Sequence, residues 1–129
     1  MKLCLNYKTG KNMAMLKIGV MPREKFQQRI LDIASGKYKP KKNEPKIWFH
    51  SMKSIGELLN DKNILLLKII EEKKPDSLKV LSDLSGRQVS NLSRTLHKMA
   101  TYGIVKLEKN RQSIRPVAKA TEFNIMCTA

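Results

Sequence analysis

Acidic residues are scarce in this sequence. Its 129 residues include 11 Asp+Glu against 26 Lys+Arg, for a formal net charge of +15. The surplus is spread along the chain. Residues 1–60 carry 13 basic and 4 acidic side chains, and residues 61–129 carry 13 and 7. Such a chain repels itself when folded, so it usually has an anionic counterpart: nucleic acid, a membrane surface or an acidic protein. A lysine-rich genome is the plain alternative. Cysteine is almost absent. Cys4 and Cys127 stand near opposite ends with no C-x-x-C spacing, which argues against a disulfide framework or a thiolate zinc site. They read as reduced thiols of a cytoplasmic protein, with one bridge between the termini as the other option. Long apolar runs are missing. No stretch approaches the ~18 residues that span a bilayer, and the lysine-broken start is no signal peptide, so no membrane partner is expected. Chemistry-bearing clusters are missing as well. His50 and His97 have no Cys, Ser or acid at motif spacing, and there is no glycine-rich phosphate loop. The expectation is a protein that is not an enzyme and has no metal and no cofactor. The seven methionines read as core filler or start sites.

The chain divides at about residue 46. In the first part, LKIGVM (residues 16–21) reads as a short strand. Pro22 then suits a helix start, Phe26, Ile30 and Ile33 lie on one stripe, and Gly36 stops the helix. That stripe must dock on the rest of the chain, on another copy or on a partner protein. Residues 37–46 hold five lysines, two prolines and one Glu44, and read as a solvated linker or as an arm along phosphates. The expected units are residues 1–46, an arm and linker for dimerisation or partner binding, and residues 47–129, one compact domain.

In the second part, Ser51 is placed to cap a helix through Ile55, Leu58 and Leu59. Residues 62–74 are apolar nearly all round at their centre, as in a buried helix, and Pro75 ends it. Asp76 or Ser77 caps a short helix with Leu78, Leu81 and Leu84. Gly86 makes a turn. From about Gln88, residues Val89, Leu92, Leu96 and Met99 recur at spacings of 3, 4 and 3, one side of a helix. Arg87, Asn91, Arg94 and Lys98 lie on the other side. Tyr102-Gly103 ends this helix. Alternation of Val105 and Leu107, a turn at Lys109-Asn110 and Ile114 on the return describe a hairpin, with Pro116 confining it to an edge. Phe123 and Ile125 alternate in a last short strand.

The order helix, short helix, turn, long helix, basic hairpin is that of a winged helix-turn-helix, mainly α with a small β-hairpin wing. Between Gly86 and Lys119 there are eight basic residues and one acid, Glu108, so the positive surplus is concentrated on the long helix and hairpin. A major groove ~12 Å wide admits a helix, whose N-terminal part meets base edges. Arg pairs bidentately with guanine, and Asn or Gln with adenine. Gln88, Ser90, Asn91, Arg94 and Thr95 are therefore candidates for bases or nearby phosphates, as is Arg87 just before the helix. Lys98 is a phosphate contact, and Lys109, Arg111 and Arg115 lie on the wing.

SDLSGRQVSNLSRTLHKMATYGIVKLE resembles the core of MarR-like winged-helix transcription regulators. The matching residues are Ser90, Ser93, Arg94, Leu96, Gly103, Ile104 and Val105. The fuller run from KIWFHSMKSIGELL to the wing resembles small prokaryotic DNA-binding proteins, some of them predicted antitoxins encoded beside a small toxin. The resemblance implies a DNA-binding transcriptional regulator that is cytoplasmic, homodimeric and a repressor, with double-stranded DNA and a cognate toxin as partners. It also suggests Met15 as the start, with residues 1–14 then an extension. One departure is that only about a dozen residues follow the wing, too few for a long C-terminal dimerisation helix. The rival expectation is a protein-interaction module that neutralises a partner through its N-terminal segment and binds nucleic acid without specificity. RNA is disfavoured because Arg87–Lys98 presents no outward aromatic for base stacking.

Overall fold

The computed structural model describes residues 15–128, which contain five helices and two small sheets. Residues 1–14, with Cys4 and the proposed extension, and Ala129 lie outside the described residues. One sheet has three parallel strands. Its centre is β1 (Leu16–Val20), flanked by β2 (Ile47–Phe49) and β5 (Phe123–Cys127), in the order β2-β1-β5. This sheet joins segments from both sides of residue 46 and from both ends of the described chain. The sequence marks its three strands only separately, β2 as no more than an apolar segment, because parallel pairing across a hundred residues leaves no local signal.

Ile18, Val20 and Phe49 alternate onto one face and are buried in the same core as the helices. Gly19 and Trp48 pair on the opposite face. There Arg29, from α1 (Arg23–Ala34), stacks 5.0 Å from the Trp48 ring centroid and forms a 2.8 Å ion pair with Glu44. Residues 37–46 are thus tied down at Glu44, at buried Pro45 and at the Asn43 carbonyl, which accepts from Lys17 Nζ. Their lysines remain exposed. Pro22 sits at the N-cap of α1, one residue before its first turn. Gly36 terminates it with φ +85°. The predicted stripe docks only in part. Phe26 meets His50 edge to face, while Ile30, Leu31 and Ile33 are exposed, and α1 has no fully buried residue.

The helical core follows. In α2 (Met52–Leu58) the Ser51 hydroxyl caps the Ser54 N–H, in α3 (Asp61–Lys73) Asn60 caps the Asn63 N–H, and in α4 (Leu78–Ser85) Ser77 caps the Val80 N–H. Asn60 thus starts α3 directly after Leu59 closes α2. The long helix α5 (Val89–Thr101) begins after Gln88. Leu92, Leu96 and Met99 are fully buried in one cluster with Leu66, Leu67, Ile70 and Leu81. Each contributes roughly 1.5–3 kcal/mol of burial. Val89 departs from the expectation: at the first residue of α5 it is 43% exposed. Leu84 is also largely exposed.

Gly103, at φ +77°, turns the chain into β3 (Val105–Asn110) and β4 (Ser113–Ala118), an antiparallel hairpin that packs on α3, α4 and α5. The turn is Arg111-Gln112 and not Lys109-Asn110, since Asn110 pairs with Ser113. Arg111 takes the left-handed φ of 60° that this turn requires, without the glycine that would have marked it. Tyr102 stacks on Phe49 at 4.3 Å and joins the end of α5 to the sheet.

Candidate nucleic-acid interface

The sequence of α5 divides cleanly. With Leu92, Leu96 and Met99 turned into the core, Ser90, Asn91, Arg94, His97 and Lys98 are exposed. No acidic residue occurs between Gly86 and Val105. Arg94 Nη2 donates to Asn91 Oδ1 one turn earlier, so the two side chains form one polar unit on the outer face. That bond aligns an arginine fork beside an amide, the two groups best suited to guanine and adenine edges. Gln88, the N-cap, is exposed and makes no side-chain capping bond. His97 Nδ1 lies 2.8 Å from the Ser93 carbonyl and stays at the surface.

Arg87 and Thr95 are placed differently from their neighbours. Arg87 is half-buried in the turn between α4 and α5. Its Nη1 donates to Asn63 Oδ1 at 3.0 Å and its Nη2 to Thr95 Oγ1 at 3.4 Å. Its carbonyl accepts from Ser82 Oγ at 2.6 Å. Arg87 therefore braces the turn against α3 as well as offering charge. Asn63, the buried polar residue at the other end of this bond, went unnoticed in the sequence; an Asn in an otherwise apolar helix was the available signal. Arg87, Asn91, Arg94 and Thr95 line one side of a cleft of about 600 Å³, with Lys62, Leu65 and Ile69 across from them. Three cations and no carboxylate line it, so the cleft extends the positive face of α5 onto α3.

The hairpin adds Lys106, Lys109 and Arg111, all exposed, with Arg111 at the tip. Arg115 is not free. Its Nη2 bonds Glu108 Oε1 at 2.6 Å across the strand pair, and Lys106 approaches the other Glu108 oxygen at 3.6 Å. The Arg115 hydrogen bond holds the Glu108 carboxyl below the usual carboxylate range, so it is ionised at neutral pH and offsets one cation of the hairpin. If the hairpin lies along a phosphate backbone, Glu108→Gln is expected to release Arg115, tighten binding to any duplex and steepen the salt dependence by about one unit of log–log slope. Titrations at a series of salt concentrations measure this; an unchanged slope would place Arg115 away from phosphates.

Among the described residues no group of His, Cys, Asp or Glu is arranged to hold a metal ion, and no helix is long and apolar enough to cross a membrane. Cys127 is an exposed thiol.

No curated protein and no solved structure matches the chain. A family model does match, over residues 58–125. The matched span begins at the last residue of α2 and runs through α3, α4, α5 and the hairpin into β5, more than half of the chain, and so the protein belongs to the HVO_A0114 family.

Proposed function

We propose that this protein is a sequence-specific double-stranded-DNA-binding transcriptional regulator. In this reading α3, α4, α5 and the hairpin form a winged helix-turn-helix. The helix α5 enters the major groove and the wing follows the backbone. The observation that carries the proposal is the acid-free outer face of α5, where Asn91 and Arg94 are already bonded to each other above a fully apolar inner face. An outer face kept soluble for its own sake ordinarily mixes both signs of charge. Repression, and autoregulation as an antitoxin, extend the resemblance to MarR-like regulators and their small relatives.

The test is a gel-shift titration on the DNA upstream of the protein's own gene, with excess unrelated duplex. A discrete, competition-resistant shift is expected. Arg94→Ala should weaken the specific complex by about 1–3 kcal/mol and relax base preference, whereas Lys109→Ala should weaken all sequences alike and reduce the salt slope. Unchanged binding in both variants would reject this docking.

A second reading rests on α1. Its exposed Ile30, Leu31 and Ile33 form an apolar edge suited to a protein partner, with nucleic-acid binding then non-specific. A shift that disappears with competitor or salt would favour it.

A further inference from the structure

The strands of this protein are protected unequally. A free strand edge offers its backbone N–H and C=O groups to any other strand, and natural edges are usually guarded by lysine, proline or extreme shortness. Here β2 has three residues and follows Lys46 directly. Strand β3 carries Lys106, Glu108 and Lys109, and β4 carries Arg115 and Pro116. Strand β5, FNIMC, has none of these guards. It lies at the end of its sheet, and Ile125 and Met126 on it are 40% and 48% exposed.

The hydrogen-bond parity of β5 is fixed. Leu16 N–H donates to the Glu122 carbonyl and Thr128 N–H donates to the Val20 carbonyl. In a parallel ladder the residues of that parity, Glu122 to Thr128 in steps of two, face β1. The N–H and C=O groups of Phe123, Ile125 and Cys127 therefore point outward, and among the described residues they meet no neighbouring strand.

Charge selects the occupant. Residues 120–129 are the longest stretch of the chain without Lys or Arg, ten residues whose only charge is Glu122. A second copy of a +15 chain is repelled nearly everywhere else on the surface. At β5 it is not.

We propose that the outer edge of β5 is a homodimer interface, occupied by β5 of a second copy running antiparallel with Ile125 on the two-fold axis. A strand that pairs with its own copy about a two-fold axis is necessarily antiparallel. Centring the axis on Ile125 sets it opposite the partner's Ile125, and sets Phe123 opposite the partner's Cys127. All three outward residues of each copy then donate one bond and accept one, giving six interchain bonds; centring on Asn124 or Met126 would leave outward groups unused. The two sheets become one of six strands, and the exposed Ile125 side chains cover each other on the core-side face. The interface does not depend on the DNA-binding reading.

Sedimentation of the full chain in 0.5 M NaCl, after nuclease treatment, is the experiment. A reversible monomer–dimer equilibrium is expected. Ile125→Lys sets two cations face to face and should weaken dimerisation at least about tenfold, with the thermal melt confirming the fold. The second arm is cross-linking in a Cys4→Ser/Cys127→Ser background. Ile125→Cys should oxidise rapidly to a disulfide dimer, because facing residues of a hydrogen-bonded pair have Cα atoms ~5.5 Å apart. Asn124→Cys should not, since it faces the partner's Met126. A chain that stays monomeric overturns the proposal. So does one that dimerises only after removal of residues 1–14, or a dimer broken by Leu31→Lys but untouched by Ile125→Lys.

Discussion

Replacing Gly19 by alanine is expected to destabilise the protein by about 2 kcal/mol, in the usual range for overpacking. The cause is local. A Cβ at position 19 would lie 2.6 Å or less from three atoms of the Trp48 ring, the nearest at 2.2 Å. The ring cannot easily give way, because Arg29 stacks on it and is itself held by Glu44. The backbone of β1 is no freer, being hydrogen-bonded on both sides to β2 and β5. For a chain of this length the loss corresponds to a melting temperature lower by about 8 °C. Trp48→Leu in the same chain should recover part of the loss, so the double-mutant cycle should show coupling of about 1 kcal/mol or more. Simple additivity would mean that the ring swings aside at no cost.

Position 19 also illustrates what the sequence conceals. Within LKIGV a glycine suggests a weak strand or a bulge. Its actual role is to admit an aromatic ring from a strand 29 residues later. The same holds for the sheet as a whole. Each strand is short, and the β1–β5 pairing spans more than a hundred residues, so nothing local announces it. The helices were legible because their signals are local: Ser51 and Ser77 at N-caps, Gly86 and Gly103 at left-handed stops, and the 3-4-3 spacing of α5. Legibility stopped at the helix ends. Val89 belongs to the periodic stripe but, as the first residue of α5, is left exposed, which periodicity cannot detect. The hairpin turn was misplaced by two residues because Arg111 occupies a conformation that sequence rules assign to glycine or asparagine.

The candidate interface followed the same division. Asn91, Arg94 and Lys98 could be placed on the outer face by counting residues, since their position depends on one helix alone. The role of Arg87 depends on α3 as well, and that of Arg115 on the register of β3 against β4. Asn63 is 24 residues from Arg87, and Glu108 meets Arg115 only through the register of the hairpin. A helical wheel registers charge but not the neighbours that neutralise or anchor it.

Asn63→Ala should cost about 3 kcal/mol and show how far the helix proposed to face DNA depends on this anchoring. The side chain is buried and fully engaged. Nδ2 donates to the Leu58 carbonyl at the end of α2 at 2.8 Å, and Oδ1 accepts from Arg87 Nη1 at 3.0 Å. Truncation leaves a helix-terminal carbonyl without its donor and a half-buried guanidinium without its main acceptor. Buried groups deprived of partners cost about 1–3 kcal/mol each, more when charged. Asn63→Asp separates the two losses. The carboxylate would keep Arg87 and even strengthen that bond, but it cannot donate to Leu58 and would set a negative charge against that carbonyl. If Arg87 is the more important partner, Asp should be the milder substitution. If the α2 carbonyl matters more, Asp should be as damaging as Ala. DNA binding distinguishes the two further. On the proposed reading, Ala frees Arg87 and loosens the turn that aims α5, so specific affinity should fall at temperatures where the variant is still folded. Asp keeps the brace and should retain most of that affinity at the same temperatures. A folded Ala variant with undiminished specific binding would mean that the aim of α5 is set by its apolar face alone, by Leu92, Leu96 and Met99 against the platform.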